Sequence, residues 1–310
     1  MSRPALKQRI RQGLLLLDGA MGTELIARGA KVGKCSDYLN IEWPDVVSDI
    51  HRAYLQAGSD AILTNTFGAN RYALARHGYA EQVARINTAG AGIARRAAGQ
   101  DKYVLGDIGP SGDFLEPLGT LKPAELREAF AQQAEALLTG DVDGFIIETM
   151  TSLDEAVIAI EAVKSVSSLP VLASMAFDKV SDGFRTMMGV DVESAVAKMV
   201  LLSVDAVGFN CGTLSLDEYV ELAENYVSVI KALEKTRATS DERRPTIYAE
   251  PNAGKPELVD GKAVYKVSPE DFTAAAERIH VAGINVIGGC CGTGPEHIAS
   301  MNKKLRASNK

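Results

Sequence analysis

Three of the four cysteines in this 310-residue chain fall in two short motifs of nearly the same form, Cys211 in GFNCGT and Cys290 with Cys291 in GGCCGT. Small residues flank each sulfur, so backbone and a metal ion can approach it closely. Three thiolates with one position left open form a catalytic zinc pattern. A structural zinc takes four protein ligands, usually with Cys-x-x-Cys spacing, and that spacing does not occur here. A zinc ion ringed by three thiolates is electron-rich and polarises a carbonyl poorly. It is better suited to taking a substrate thiol as fourth ligand, lowering its pKa and presenting a thiolate nucleophile at neutral pH, as a methylation of sulfur requires. Two other readings stand beside this one. Buried inert cysteines are common, and adjacent cysteines can form a redox pair, although a vicinal disulfide is strained and rare. Cys35 lies alone in a loop and is read as incidental.

Two acids come next. Asp18 opens the turn in LLLLDGAMGTEL, and Glu148 closes FIIET. A Gly-Ala-Met-Gly turn exposes backbone N–H groups that can hold a carboxylate while Asp18 takes an ammonium group. Two acids plus backbone donors would recognise an α-amino acid. Each acid could instead be structural, paired with an arginine of the fold. A phosphate cradle is disfavoured, because no Walker A pattern occurs and acids crowd the same region. His51 and His280 lie in helical segments, and His77 and His297 end no strand, so a Ser-His-Asp triad has little support.

The elements that must position these residues follow from hydrophobic patterning. Eight apolar runs are visible: Leu14–Ala20, Ser59–Phe67, Lys102–Pro110, Asp143–Met150, Leu169–Phe177, Val204–Cys211, Thr246–Asn252 and Ile284–Cys291. Such near-continuous runs suit parallel strands buried on both faces. Helical periodicity lies between them at Pro44–Ala57, Pro123–Thr139, Leu153–Ser165, Val192–Leu202 and Ser268–Ala282, several closed by glycine. Eight strands alternating with helices predict a (β/α)8 TIM barrel, one domain over 1–310 with its core at about 14–298. A doubly wound open sheet is the alternative, but no Gly-x-Gly-x-x-Gly follows the first run. The polar stretch Glu234–Arg244 is expected to be a mobile loop before the seventh strand.

Barrel enzymes carry their active sites at the C-terminal strand ends. The runs end in Asp18, Asn65 with Thr66, Asp107, Glu148 with Thr149, Ser174, Asn210 with Cys211, Glu250 with Asn252, and Cys290 with Cys291. Any strand must end in something polar, which accounts for Thr66 or Ser174. It accounts poorly for three cysteines at two strand ends.

Composition narrows the function classes. A net charge of -7 argues against nucleic acid or an anionic membrane as partner. The sequence has no apolar run long enough to span a bilayer. The basic segment Met1–Gly13 lacks the apolar stretch of a secretory signal, and a strand so close behind it argues against an organellar presequence. A cytoplasmic location with reduced cysteines is the expectation. Nothing in the sequence fixes an oligomeric state.

Taken together, LDGAMGTEL, YLN at Tyr38–Asn40, AILTNTFGAN, GDIGPSG, GFNCGT, EPNAGKP and GGCCGTGPEH resemble the homocysteine S-methyltransferase family. They are most similar to the homocysteine-binding domain of cobalamin-dependent methionine synthase. The resemblance runs from about Leu14 to His297. It implies a (β/α)8 barrel with zinc on Cys211, Cys290 and Cys291. It implies that Asp18 and Glu148 hold the homocysteine amino group, with Gly19, Ala20 and Thr23 helping with the carboxylate. Asn252 would occupy the metal until the homocysteine sulfur displaces it. The methyl donor is then a methylcorrinoid on a partner protein, since folate- and cobalamin-binding segments do not follow this barrel. The alternatives are a small donor such as S-methylmethionine or betaine, or a homocysteine-binding subunit that is inactive without its partner.

Overall fold

The computed structural model describes residues 3–236, 245–259 and 262–308. Its strands are β1 (Leu15–Leu16), β2 (Ala61–Leu63), β3 (Tyr103–Ile108), β4 (Gly144–Met150), β5 (Val171–Met175), β6 (Asp178–Val180), β7 (Gly183–Arg185), β8 (Ala206–Asn210), β9 (Thr246–Glu250), β10 (Glu257–Val259), β11 (Lys262–Val264) and β12 (Val286–Ile287). Each apolar run contains one strand of an eight-stranded sheet ordered β1-β12-β9-β8-β5-β4-β3-β2. Its pairings are all parallel. The remaining strands form two antiparallel hairpins, β6–β7 and β10–β11. They escaped the apolar-run pattern because each strand is only three residues long. Residues 237–244 of the expected mobile loop lie outside the described residues.

The helices are α1 (Leu6–Arg9), α2 (Met21–Ala27), α3 (Leu39–Glu42), α4 (Pro44–Ala57), α5 (Arg71–Ala75), α6 (Val83–Ala98), α7 (Pro123–Thr139), α8 (Leu153–Val166), α9 (Val192–Leu201), α10 (Leu216–Thr236), α11 (Pro269–Ala282) and α12 (Pro295–Ser308). Their ends follow capping chemistry. Pro44 opens α4 and left-handed Gly58 closes it. Ser268 caps α11 by accepting from the Asp271 N–H, and Gly283 closes it. Among the described residues, no helix is long and apolar enough to cross a membrane.

Side-chain alternation in the strands sets the interior. Leu15, Leu17, Tyr103, Leu105, Ile146, Leu172, Ala206, Tyr248 and Val286 form one buried cluster inside the barrel. Residues of the opposite phase, such as Leu16, Val104, Ile147 and Val207, join the larger cluster under the helices. Two further residues along the inward phase, the apolar layer gives way to a polar one: Leu105 to Asp107, Ile146 to Glu148, Leu172 to Ser174, Tyr248 to Glu250. The site is therefore the top layer of the barrel interior.

Between β1 and β2 no ladder forms, and the seam is closed by a backbone hydrogen bond with side-chain bonds beside it. The Asp60 N–H donates to Leu16 O at 2.7 Å, and the Leu63 N–H donates to Asp18 Oδ2 at 3.0 Å. At the opposite end, the segment around α1 plugs the barrel. Leu6 and Ile10 are buried against the interior cluster. Arg3, Lys7 and Arg9 pair with Asp143, Asp205 and Asp60 at 2.6, 3.1 and 3.3 Å. Each of these aspartates also accepts a backbone N–H from the neighbouring strand, at Val104, Val171 and Leu16. The basic character of the N-terminal segment thus serves the fold.

Candidate metal centre and substrate cavity

β8 and β12 bring the three cysteines together from distant parts of the chain. Their sulfurs lie within 4.8 Å of one another, the only such group of ligating atoms among the described residues. Cys290 and Cys291 Sγ are 4.0 Å apart. Tetrahedral zinc with Zn–S bonds of about 2.3 Å sets sulfurs roughly 3.8 Å apart, so the trio is near the spacing the ion requires. Cys290 continues the inward phase of β12. Cys211 is out of phase on β8, and its left-handed backbone, φ 55°, turns the chain at that point. A left-handed non-glycine residue is strained, and such strain concentrates at functional sites.

The glycine in each Cys-Gly-Thr motif has a steric reason. Gly212 and Gly292 have φ of 87° and 82°. A Cβ on Gly212 would run into Phe177 O, and one on Gly292 into the Tyr265 ring.

The three thiols cannot readily carry three charges alone. Hydrogen bonds from Cys211 and Cys290 pull Cys291 down to about 3. Hydrogen bonding to Cys211 and Cys291, with burial, pushes Cys290 well above its ordinary value. Cys211 accepts from Cys290, which favours its thiolate. Its donation to Cys291, burial and the Cys291 charge outweigh that and raise it to about 11. One thiolate forms easily, and a second and third need a cation beside them. The donor set therefore fits a soft divalent ion. Asn252 strengthens the fit. It is 1% exposed, its Nδ2 donates to Gly212 O at 2.8 Å, and its Oδ1 is buried without a partner. Its neighbours pair with the cysteine turn, Cys290 N–H to Pro251 O at 2.8 Å and Ala253 N–H to Cys291 O at 2.9 Å.

The sulfurs face a cavity of about 330 Å³ whose lining includes Asp18, Gly19, Ala20, Thr23, Glu148, Cys211, Cys290 and Cys291. Asn252 is beside the cysteines but not on that lining. The turn after Asp18 is locked to the cysteine turn. Thr293 Oγ1 accepts the Ala20 N–H at 3.2 Å and donates to Cys290 O at 2.7 Å, and the Gly292 N–H donates to Thr23 Oγ1 at 3.0 Å. The Ala20 N–H, expected at a substrate carboxylate, here holds the turn, while the Thr23 hydroxyl accepts from Gly292 and keeps its own hydrogen to donate.

Asp107 and Glu250 also line the cavity. The strand-end reading named both and gave them no role, although their inward phase was legible. Burial is the main cause raising all four acids. It lifts Glu148 to about 8, with the Cys211 charge adding to it. Asp18 goes well above the carboxylate range against the pull of the Leu63 hydrogen bond. Asp107 and Glu250 rise likewise, with Glu148 the next cause for each. Among the described residues, none that lines this cavity is basic, so its chemistry favours a cationic ligand.

Tyr265, which sequence reasoning did not find, packs its ring against Gly292 of the cysteine turn and helps lower the Cys291 pKa. It lies far from both cysteine motifs in sequence, and no pattern marks it.

The profile of a family described as homocysteine S-methyltransferase matches residues 15–305. The methionine synthase of Mycobacterium tuberculosis is 32% identical over 311 residues, covering 94% of this chain and 24% of that protein. That of Mycobacterium leprae is 30% identical, covering 98% and 25%. The chain spans about a quarter of the length of these curated relatives. The metallated form of the homocysteine methyltransferase MmuM from Escherichia coli superposes with a TM-score of 0.75 at 22% identity, over 97% of this chain and 100% of that one. At that identity the likeness is one of fold.

Proposed function

This chain belongs to the homocysteine S-methyltransferase family, and we propose that it methylates the sulfur of homocysteine at a zinc site held by Cys211, Cys290 and Cys291. The observation that carries this reading is the convergence of three thiols at one end of an acid-lined cavity, with Asn252, whose Oδ1 is buried and unpartnered, bonded to the backbone just after Cys211. Bound there, zinc would lower the pKa of the substrate thiol and hold it as a thiolate nucleophile. Asn252 would fill the fourth position until the substrate sulfur takes it. Asp18 and Glu148 orient the amino group, and the N–H groups of the Gly19–Thr23 turn other than that of Ala20 receive the carboxylate. The substrate sulfur then points at the donor, and positioning supplies much of the rate. No general base is needed for methyl transfer once the thiol proton has left.

For the donor, the favoured reading is a methylcorrinoid carried by a partner protein. Large apolar side chains stand exposed on the connections that follow barrel strands: Val32 after β1, Phe67 after β2, Phe114 and Leu118 after β3, Met187 after β5 and Leu258, in β10, after β9. An apolar rim of this kind suits a protein surface docking over the cavity. The second reading is a small sulfonium or quaternary ammonium donor entering directly. The absence of basic lining residues favours it, and about 330 Å³ is within the range of small-ligand cavities.

The test is an assay of the zinc-loaded chain with homocysteine and, in turn, free methylcobalamin, S-methylmethionine, betaine and a methyl-corrinoid protein. Methionine formed only with the corrinoid protein supports the favoured donor. Turnover with a small donor supports the second reading. No methionine with any donor, or full activity in metal-free protein, contradicts the proposal. Cys290→Ala is expected to abolish zinc retention and homocysteine binding with an unchanged far-UV circular dichroism spectrum.

A further inference from the structure

The cavity floor holds more carboxylate than the reading above uses. Asp18 Oδ2 accepts the Leu63 N–H at 3.0 Å, and Glu148 Oε2 accepts from Asn210 Nδ2 at 3.2 Å. Asp107 and Glu250 are only 6% and 2% exposed, and Asp107 Oδ1 and Glu250 Oε2 have no partner. Both residues continue the inward phase of their strands, above Leu105 and Tyr248. Buried polar atoms without a partner are rare and destabilising, so two aimed into one ligand cavity point to a donor brought by the ligand.

The spacing of the acids tells which donor. Among the described residues, only the cysteine trio is tight enough to share a metal ion. The floor therefore lacks the geometry of a second metal site. An ammonium group fits it better, because its three N–H donors reach acceptors spread around it. The backbone hydrogen bond to Asp18 and the amide hydrogen bond to Glu148 leave Asp107 and Glu250 as the acids with both oxygens free of protein hydrogen bonds among the described residues.

We infer that Asp107 and Glu250, given the homocysteine site proposed above, receive the α-ammonium group of the substrate and make the cavity selective for amino-acid thiols over thiols lacking the amine. Asp18 and Glu148 complete the ring of acceptors, and Asp18 also fastens the seam between β1 and β2.

Calorimetric titration of the zinc-loaded protein with L-homocysteine and with 4-mercaptobutanoate, its counterpart without the amine, tests this. The wild-type protein is expected to prefer homocysteine by at least about tenfold. In Asp107→Asn and Glu250→Gln, isosteric changes that each carry the test alone, homocysteine is expected to weaken by about tenfold or more while 4-mercaptobutanoate binds as before. The unchanged second ligand also shows that fold and metal are intact. Selectivity unaltered in both variants overturns the inference, whatever the absolute affinities do. Equal wild-type affinity for the two thiols overturns it while leaving the proposed function standing. A wild-type protein that binds neither thiol overturns the proposed function itself.

Discussion

The side-chain amide of Asn210 donates to the Glu148 carboxylate at 3.2 Å and faces the Cys290 sulfur at 3.8 Å. It also donates to Thr149 Oγ1 at 2.7 Å, while its Oδ1 accepts from the Thr149 N–H and the Ser174 hydroxyl, both at 2.8 Å. One buried residue thus connects β4, β5, β8 and the cysteine turn after β12, joining the acid half of the site to the sulfur half.

Replacing Asn210 should disturb both halves together. Partners just outside a metal's own ligands are typically worth about 10- to 100-fold in affinity. In Asn210→Ala, zinc affinity by chelator competition and homocysteine affinity by calorimetry should both fall by about tenfold or more. Loss of one without the other would show that the two halves are not coupled through this amide.

Asn252 should behave differently. Its role is confined to the substrate-free state, so Asn252→Ala should release zinc more readily without substrate and bind homocysteine at least as tightly. Zinc retention equal to wild type in the absence of substrate would remove Asn252 from the proposed ligand set.

Much of this arrangement was legible in the sequence. The eight apolar runs became the eight barrel strands, and Pro44 with Gly58 marked both ends of α4 because their backbone constraints are local. The cysteines stood out because few residue types ligate soft metals and two strand ends carried all three. Asp107 and Glu250 were visible as strand-end acids, but their lack of partners depends on which side chains face them across the barrel. Tyr265 was illegible for the same reason. The strands of the hairpins β6–β7 and β10–β11, three residues each, are too short to register as apolar runs.

His51, which is not on the cavity lining, gives a stability prediction. It is fully buried on α4 with neither ring nitrogen partnered. Burial lowers its pKa from 6.5 to about 3. As pH falls, the unfolded chain takes up this proton before the folded one does. The neutral ring's contribution is therefore fully present above 6.5 and is lost progressively as pH falls towards 3. At pH 5 the loss is about 2 kcal/mol. His51→Leu should raise Tm at pH 5 more than at pH 7 in thermal melts, and an equal shift at both pH values would contradict the account.

The N-terminal plug can be tested by truncating one buried side chain. Leu6 is 3% exposed and packs into the bottom of the barrel. Leu6→Ala should destabilise the protein by about 2–5 kcal/mol in urea unfolding, with zinc affinity unchanged because the site lies at the opposite end. A loss below about 1 kcal/mol would mean that the plug is peripheral to stability.

The central claim is that the substrate sulfur joins the three cysteine sulfurs, and zinc K-edge X-ray absorption reads this most directly. The account predicts three sulfur ligands and one oxygen or nitrogen ligand in the resting protein, rising to four sulfurs when homocysteine is added. A sulfur count that does not change on adding homocysteine, or a purified protein that takes up no zinc, would contradict it.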